Sequence, residues 1–274
     1  MRITIGIIAL TLVAAIIGFT WLFPIIAALI GSFIPFRYMV LYGWWNIKEI
    51  TLSNYIAIFT TGAIRYLLNS LVIASSATVL PVIVGMALAF AIRRHYIPRS
   101  DILVVLFFLL QVLPEQSVTI PVLSIYRYVS WIMTTYLGVI LVHTAFALPW
   151  ITFFFYNFLS AVPPDLIESA EVDGASEYRL FYNIILPVMR EALISVAALQ
   201  FVFVYDDLYF GLVFIHNTSL FPITVFIANS VSSYFVNVAV MSAAAVFAII
   251  PPVLLFALLQ KYYVRGLLGG FMKA

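Results

Sequence analysis

Eleven carboxylates serve a chain of 274 residues, and five of them, Asp165, Glu168, Glu171, Asp173 and Glu177, crowd into thirteen positions. They lie within residues 160–187, SAVPPDLIESAEVDGASEYRLFYNIILP, the one long polar stretch between hydrophobic segments. Carboxylates clustered there can meet a soluble partner, and the rest of the chain offers water almost nothing. Two further acids, Asp206 and Asp207, sit in the apolar sequence VYDDLYF, and Glu115 follows Pro114 inside another apolar run. A charge near a bilayer centre costs roughly 2.5–3.5 kcal/mol on insertion scales, so such acids need a cavity or a bonded neighbour. Metal or nucleophilic catalysis has no support, because three scattered histidines and no cysteine give no ligating or catalytic constellation. Nor can the chain bind ATP by a phosphate loop, which needs a Gly-Lys pair followed by Ser or Thr. Its three lysines follow Ile47, Gln260 and Met272.

The elements that position these acids are greasy. The chain is 65% hydrophobic and 9% charged, with a mean hydropathy of +1.16. A soluble domain carries about 25% charged residues, so lipid is the solvent. A net charge of +2 gives no ground for a nucleic-acid partner. The length suits one membrane domain over 1–274. Spans of about 20 apolar residues are predicted at 5–30, 66–92, 102–126, 131–159, 192–215 and 238–263. The opening apolar run, Ile3–Ile34, is too long for a signal-peptide core of about 7–15 residues and reads as a retained first span. Prolines interrupt the spans at Pro24, Pro81, Pro114, Pro121, Pro149 and Pro251-Pro252; kinks of this kind are tolerated where neighbouring helices or cavity water satisfy the freed carbonyls.

Orientation follows from the cations. With the N-terminus inside, nine fall on the inner side (Arg2, Arg93, Arg94, Arg99, Arg179, Arg190, Lys261, Arg265, Lys273) and four outside (Arg37, Lys48, Arg65, Arg127). Both termini and the acidic block are therefore expected in the cytoplasm. Arg93-Arg94 serve topology in this reading, or meet lipid phosphates. Tyr42, Trp44 and Trp45 suit a membrane–water interface.

Within the block, Pro163-Pro164 can start a helix, with Asp165 and Glu168 near its positive end. Leu166, Ala170 and Val172 are its apolar positions. Gly174 can end it in a left-handed conformation, and a second helical piece is expected over Ala175–Asn183. The block thus reads as a helix–turn–helix lying across the inner face of the membrane.

These residues resemble a known family. Glu168-Ser169-Ala170, with Asp173-Gly174 and then Ile184, Leu186 and Pro187, resembles the EAA loop of permease subunits of ABC importers, in the carbohydrate-uptake, maltose-transporter-like group. Ser169 replaces the usual first alanine. Supporting likenesses are TLSNY at Thr51–Tyr55, LNSL at Leu68–Leu71, FALP at Phe146–Pro149 and the tail LLQKYYVRGL at Leu258–Leu267. The resemblance implies an all-α membrane protein of six transmembrane helices, with a cytoplasmic coupling helix between spans 4 and 5. It implies that Glu168, Ser169, Ala170, Asp173, Gly174, Ile184, Leu186 and Pro187 couple to a cytoplasmic ATPase. The implied partners are a second permease, two ATPase subunits that bind ATP and Mg, an extracellular sugar-binding protein and a saccharide. The implied location is the plasma membrane of a prokaryote, and this chain itself holds no cofactor.

Where the family usually has Trp-Asn-Glu, this chain has Tyr205, Asp206 and Asp207. At least one of the two acids is expected to line the substrate pathway, or else both brace the helix bundle. Tyr205 and Tyr209 would offer rings to sugar faces, and Glu115 a gate or cavity group. His143 is expected to hydrogen-bond within the bundle. The alternative function is an ion-coupled secondary transporter using Asp206 and Asp207.

Overall fold

The computed structural model describes residues 2–229 and 237–269. The described residues contain helices and no strands. In chain order these are α1 (Arg2–Ser32), α2 (Phe36–Tyr42), α3 (Ser53–Thr60), α4 (Ala63–Arg93), α5 (Ser100–Leu110), α6 (Thr119–Tyr126), α7 (Leu137–Leu159), α8 (Pro164–Val172), α9 (Glu177–Arg179), α10 (Leu186–Val188), α11 (Arg190–Tyr205), α12 (Tyr209–Phe214), α13 (Ile223–Asn229), α14 (Val238–Ala248) and α15 (Ile250–Gly269). Part of the outer loop expected at His216–Asn237 lies outside the described residues, as do Met1 and Lys273.

Four helical stretches are long and apolar enough to cross a membrane: Gly6–Ser32, Ala63–Arg93, Leu137–Leu159 and Val238–Gln260. The remaining two expected spans are bent pairs. Ile102–Leu110 and Glu115–Thr134 meet at 99°, and Glu177–Val188 meets Arg190–Tyr205 at 71°. The described residues therefore contain four to six candidate spans. The first bend follows from Pro114, whose extended backbone (φ −62°, ψ 128°) stops α5 from continuing. The span expected at 192–215 also stops early: α11 ends at Tyr205, and α12 restarts at Tyr209 after the two acids. Pro24 and Pro81, by contrast, lie within continuous helices.

The fold divides into two compact units. The first takes its described residues from Met1–Leu67 and Ile223–Pro251. Its core is small: Ile58, Ala63, Ala243 and Ala244 are buried, with Tyr55, Phe226 and Phe247 against them. Asn54 joins two segments by donating from Nδ2 to the carbonyls of Ser32 and Ile34, both at 2.9 Å. Most of α1 between Ile7 and Leu29 is exposed hydrophobic surface, which suits a helix surrounded by lipid.

The second unit takes its described residues from Leu68–Pro222 and Pro252–Ala274 and carries every residue singled out for function. Its larger core joins Met86, Ala89 and Phe90 of α4 to Ile151, Phe155 and Leu159 of α7, and to Leu180, Ile185 and Val196. Close approach of α4 and α7 depends on Gly85, where a Cβ would stand 2.8 Å from Ile151 Cγ2. Asn69 donates to the carbonyls of Ser219 and Phe221 at 3.0 and 2.9 Å and accepts from the Tyr136 hydroxyl at 2.7 Å. A single buried amide thereby fixes the loop after α12.

Candidate functional site: an acidic loop and a polar cavity

The acidic block folds as two helical pieces around a glycine. Pro163 caps α8 with extended backbone, and Pro164 and Asp165 fill its first turn. This is favourable because the proline lacks a donor that would go unused and the acid faces the positive helix end. The helix closes in a Schellman motif. Ala175 N–H donates to the Ala170 carbonyl at 2.9 Å and Gly174 N–H to the Glu171 carbonyl at 3.0 Å. Gly174 takes φ +77°, which suits a residue without Cβ. Ser176 then accepts from Arg179 N–H at 3.4 Å to open α9. The helix widens to a π turn over Leu180–Ile185 before α10.

This architecture sorts the side chains into two sets. Ala170 is buried, and Ile184 and Leu186 pack on the same core as Phe155 and Val196. Glu168, Ser169, Asp173, Gly174 and Pro187 are exposed. Two exposed groups escape sequence reasoning. Val172 is 88% exposed and Tyr178 is 70% exposed, although both could have been core residues by type. The signal was available for Val172: it lies two positions after buried Ala170, about 200° around the helix.

Arg94 is the other group that sequence reasoning assigns elsewhere. It stands just beyond α4, and its Nη2 donates to Glu171 at 2.6 Å and to Glu177 at 2.5 Å, while Nε donates to Glu177 at 3.3 Å. One guanidinium thus ties α8 to α9 across the Gly174 turn. The hydrogen bond from Arg94 holds the Glu177 carboxyl below its usual range, and Glu177 in turn raises the Arg94 guanidinium. Arg93 lies over the Tyr156 ring, 5.7 Å from its centre.

The second feature is a cavity of about 520 Å³ within the same unit. Its polar wall is Gln111, Glu115, His143, Gln200 and Asp207, and Phe146, Trp150 and Phe203 bring rings to it. The placement follows from helical spacing and from the two breaks. His143, Phe146 and Trp150 recur at three and four residues on α7, and Gln200 and Phe203 at three on α11. Gln111 and Glu115 flank the bend after α5. An apolar cavity of about 470 Å³ adjoins, sharing Gln111, Glu115, Phe146 and Trp150.

Of the pathway candidates, the fold brings Glu115 and Asp207 to this cavity and leaves Tyr205, Asp206 and Tyr209 off its wall. Asp207 Oδ2 accepts from the backbone N–H of Phe210 at 2.9 Å and Gly211 at 3.3 Å, so it caps α12 where the span restarts. His143 Nε2 lies 3.7 Å from that same oxygen, beyond hydrogen-bonding distance. Asp206 is exposed. Tyr205 is buried and stacks on Phe201. The Tyr209 hydroxyl bonds that of Thr119 at 2.7 Å. Gln200 is nearly fully buried, and its Nε2 donates to the Ala77 carbonyl at 3.1 Å.

A family model described as "Binding-protein-dependent transport system inner membrane component" matches residues 81–269. The chain is 37% identical to a probable ABC transporter permease protein of Pyrococcus horikoshii, over 94% of this chain and 95% of that one. It is also 37% identical to an osmoprotective compounds uptake permease protein of Synechocystis sp., over 94% of this chain and 89% of that one. An alpha-glucoside transport system permease protein of Rhizobium meliloti is 35% identical over 82% of this chain and 61% of that one. Among solved structures, a bacterial ABC transporter involved in the import of the acidic polysaccharide alginate has a chain with TM-score 0.79 and 16% identity, covering 93% of this chain and 95% of that one.

Proposed function

The chain belongs to the family of inner membrane components of binding-protein-dependent transport systems, and from that membership we propose a role as the coupling and pathway subunit of an ATP-driven saccharide importer. Six spans enclose the pathway with a homologous permease, and both termini face the cytoplasm. Two ATPase subunits, holding ATP and Mg, dock on the loop at 160–187. A binding protein outside the membrane delivers the cargo. The observation that carries this reading is the loop itself: a rigid helix–turn–helix, rooted in the core by Ala170, Ile184 and Leu186, with acids and apolar groups turned outward. A chain without a phosphate loop takes its energy through such a surface. Sugar as cargo draws on the alpha-glucoside permease and on the ring-lined cavity. The alginate importer supports the fold and not the cargo, at 16% identity. Family membership gives no support to the ion-coupled alternative, and Asp207, which that alternative would use, is engaged in capping α12.

The test is co-purification. A tagged wild-type chain should bring down its ATPase subunits from native membranes. Gly174→Val should abolish that association, because a β-branched residue cannot hold φ +77°, and Glu168→Lys should weaken it by reversing a charge on the docking face. Absence of any ATPase from the wild-type preparation, or its undiminished binding to both variants, would overturn the reading.

A further inference from the structure

The wall of the 520 Å³ cavity has a one-sided electrical character. Glu115 and Asp207 bring carboxylates to it, Gln111 and Gln200 bring amides, and no Lys or Arg is among its lining residues. Aromatic surfaces line the same cavity. Trp150 and Phe203 meet edge to face, with ring centres 6.2 Å apart, on the two helices α7 and α11. The volume lies within the range of about 300–1,000 Å³ usual for small-molecule sites.

A pyranose ring has two kinds of surface that fit such a wall. Its hydroxyl edge donates to carboxylate and amide oxygens, and its C–H face covers an aromatic ring. An anionic sugar fits badly. A uronate or phosphate group would lie beside the carboxylates of Glu115 and Asp207, and like charges at such short range repel. Because Asp207 Oδ2 is engaged with the α12 backbone, Asp207 contributes a carboxyl group held in place. Glu115, exposed at the bend after α5, has the freedom to meet the cargo.

We propose that this chain binds a sugar ring directly in the cavity, stacked on Trp150, and that Glu115 with Asp207 selects neutral saccharides over anionic ones. The inference rests on the importer reading and deepens it. It makes this subunit a second point of selection after the delivering protein.

The experiment uses the complex purified with its ATPase subunits in lipid nanodiscs. Saturation-transfer NMR reads ring contact for trehalose, maltose and sucrose, and for digalacturonate as the anionic probe. At least one neutral sugar should give contact at least tenfold stronger than digalacturonate. Trp150→Ala should cut the neutral signal about tenfold. Glu115→Gln, an isosteric change at an exposed position, should narrow the preference, and Glu115→Lys should reverse it. Equal contact by digalacturonate, no contact by any neutral sugar, or an unaltered preference in both Glu115 variants would overturn the proposal. A complex that retains its ATPase subunits yet shows no ring contact sinks this inference alone. Failure to recover ATPase subunits sinks the importer reading beneath it.

Discussion

Arg94 reaches carboxylates on both sides of a turn, so its loss should be felt in both helical pieces at once. Its side chain is a quarter exposed and the two glutamates nearly half exposed. Such pairs are worth roughly 0.2–1 kcal/mol each. Arg94→Gln should therefore loosen the loop and leave the bundle folded. Hydrogen exchange should quicken across residues 164–180 while the amides of α7 keep their protection. The pH dependence has a definite sign. Glu177 has a carboxyl lowered by Arg94, so the pair's contribution is complete above the usual glutamate value of about 4.3 and is lost as pH falls through the lowered value. Loop protection should stay flat from neutral pH down to that range and then drop; a decline beginning near pH 6 would contradict it. Asp207 shows the same economy of residues. Bonded to the N–H groups of Phe210 and Gly211, it restarts a helix and at the same time places a charge at the cavity.

At the scale of elements, the breaks place the acids of the cavity. A continuous helix satisfies its own backbone, as α7 and α11 do where they bring His143 and Gln200 to the cavity, whereas an interrupted one leaves backbone groups to be met. Ends and bends create both the need and the opportunity. The 99° bend after α5 brings Gln111 and Glu115 to the cavity, and the stop at Tyr205 brings Asp207 there. The acidic loop uses its ends differently: the Schellman closure at Gly174 turns Val172 and Tyr178 outward. In the importer proposal these exposed apolar groups belong to the docking face, and a few such anchors usually carry most of the binding energy. Val172→Ala with Tyr178→Ala should lower affinity for the ATPase subunits tenfold or more in a titration with purified components. Thermal unfolding of the permease should hardly move, because neither side chain packs in its core.

For the whole molecule, topology can be tested without background, because the chain has no cysteine. Ser169→Cys should react with a membrane-impermeant maleimide only from the cytoplasmic side, and Asn217→Cys only from outside. The exchanged pattern would invert the charge-based orientation, and labelling of both from one side would remove the crossing between them. Much of the architecture is legible in the chain. The apolar runs mark the spans, because any segment crossing lipid must satisfy its backbone as a helix. The Pro163-Pro164 start and Gly174 end of α8 are also legible, because caps depend on local backbone chemistry. The interruption at Pro114 stands out in sequence, yet its angle does not, since proline is compatible with the unbroken helices at Pro24 and Pro81; the stop at Tyr205 falls inside a stretch that reads as one span.

By itself the sequence determined what depends on neighbours along the chain: a lipid-solvated helical protein, a capped acidic helix–turn–helix, no nucleotide-binding loop. Only the tertiary structure decided which acids meet. Glu115 and Asp207 are 92 positions apart in the numbering and share one cavity, whereas adjacent Asp206 and Asp207 do not, because the chain leaves α11 at Tyr205 and Asp207 turns back onto the N–H groups that open α12. Arg94 finds Glu177 for the same reason: packing of α4 against the loop's core brings together groups that no local spacing relates.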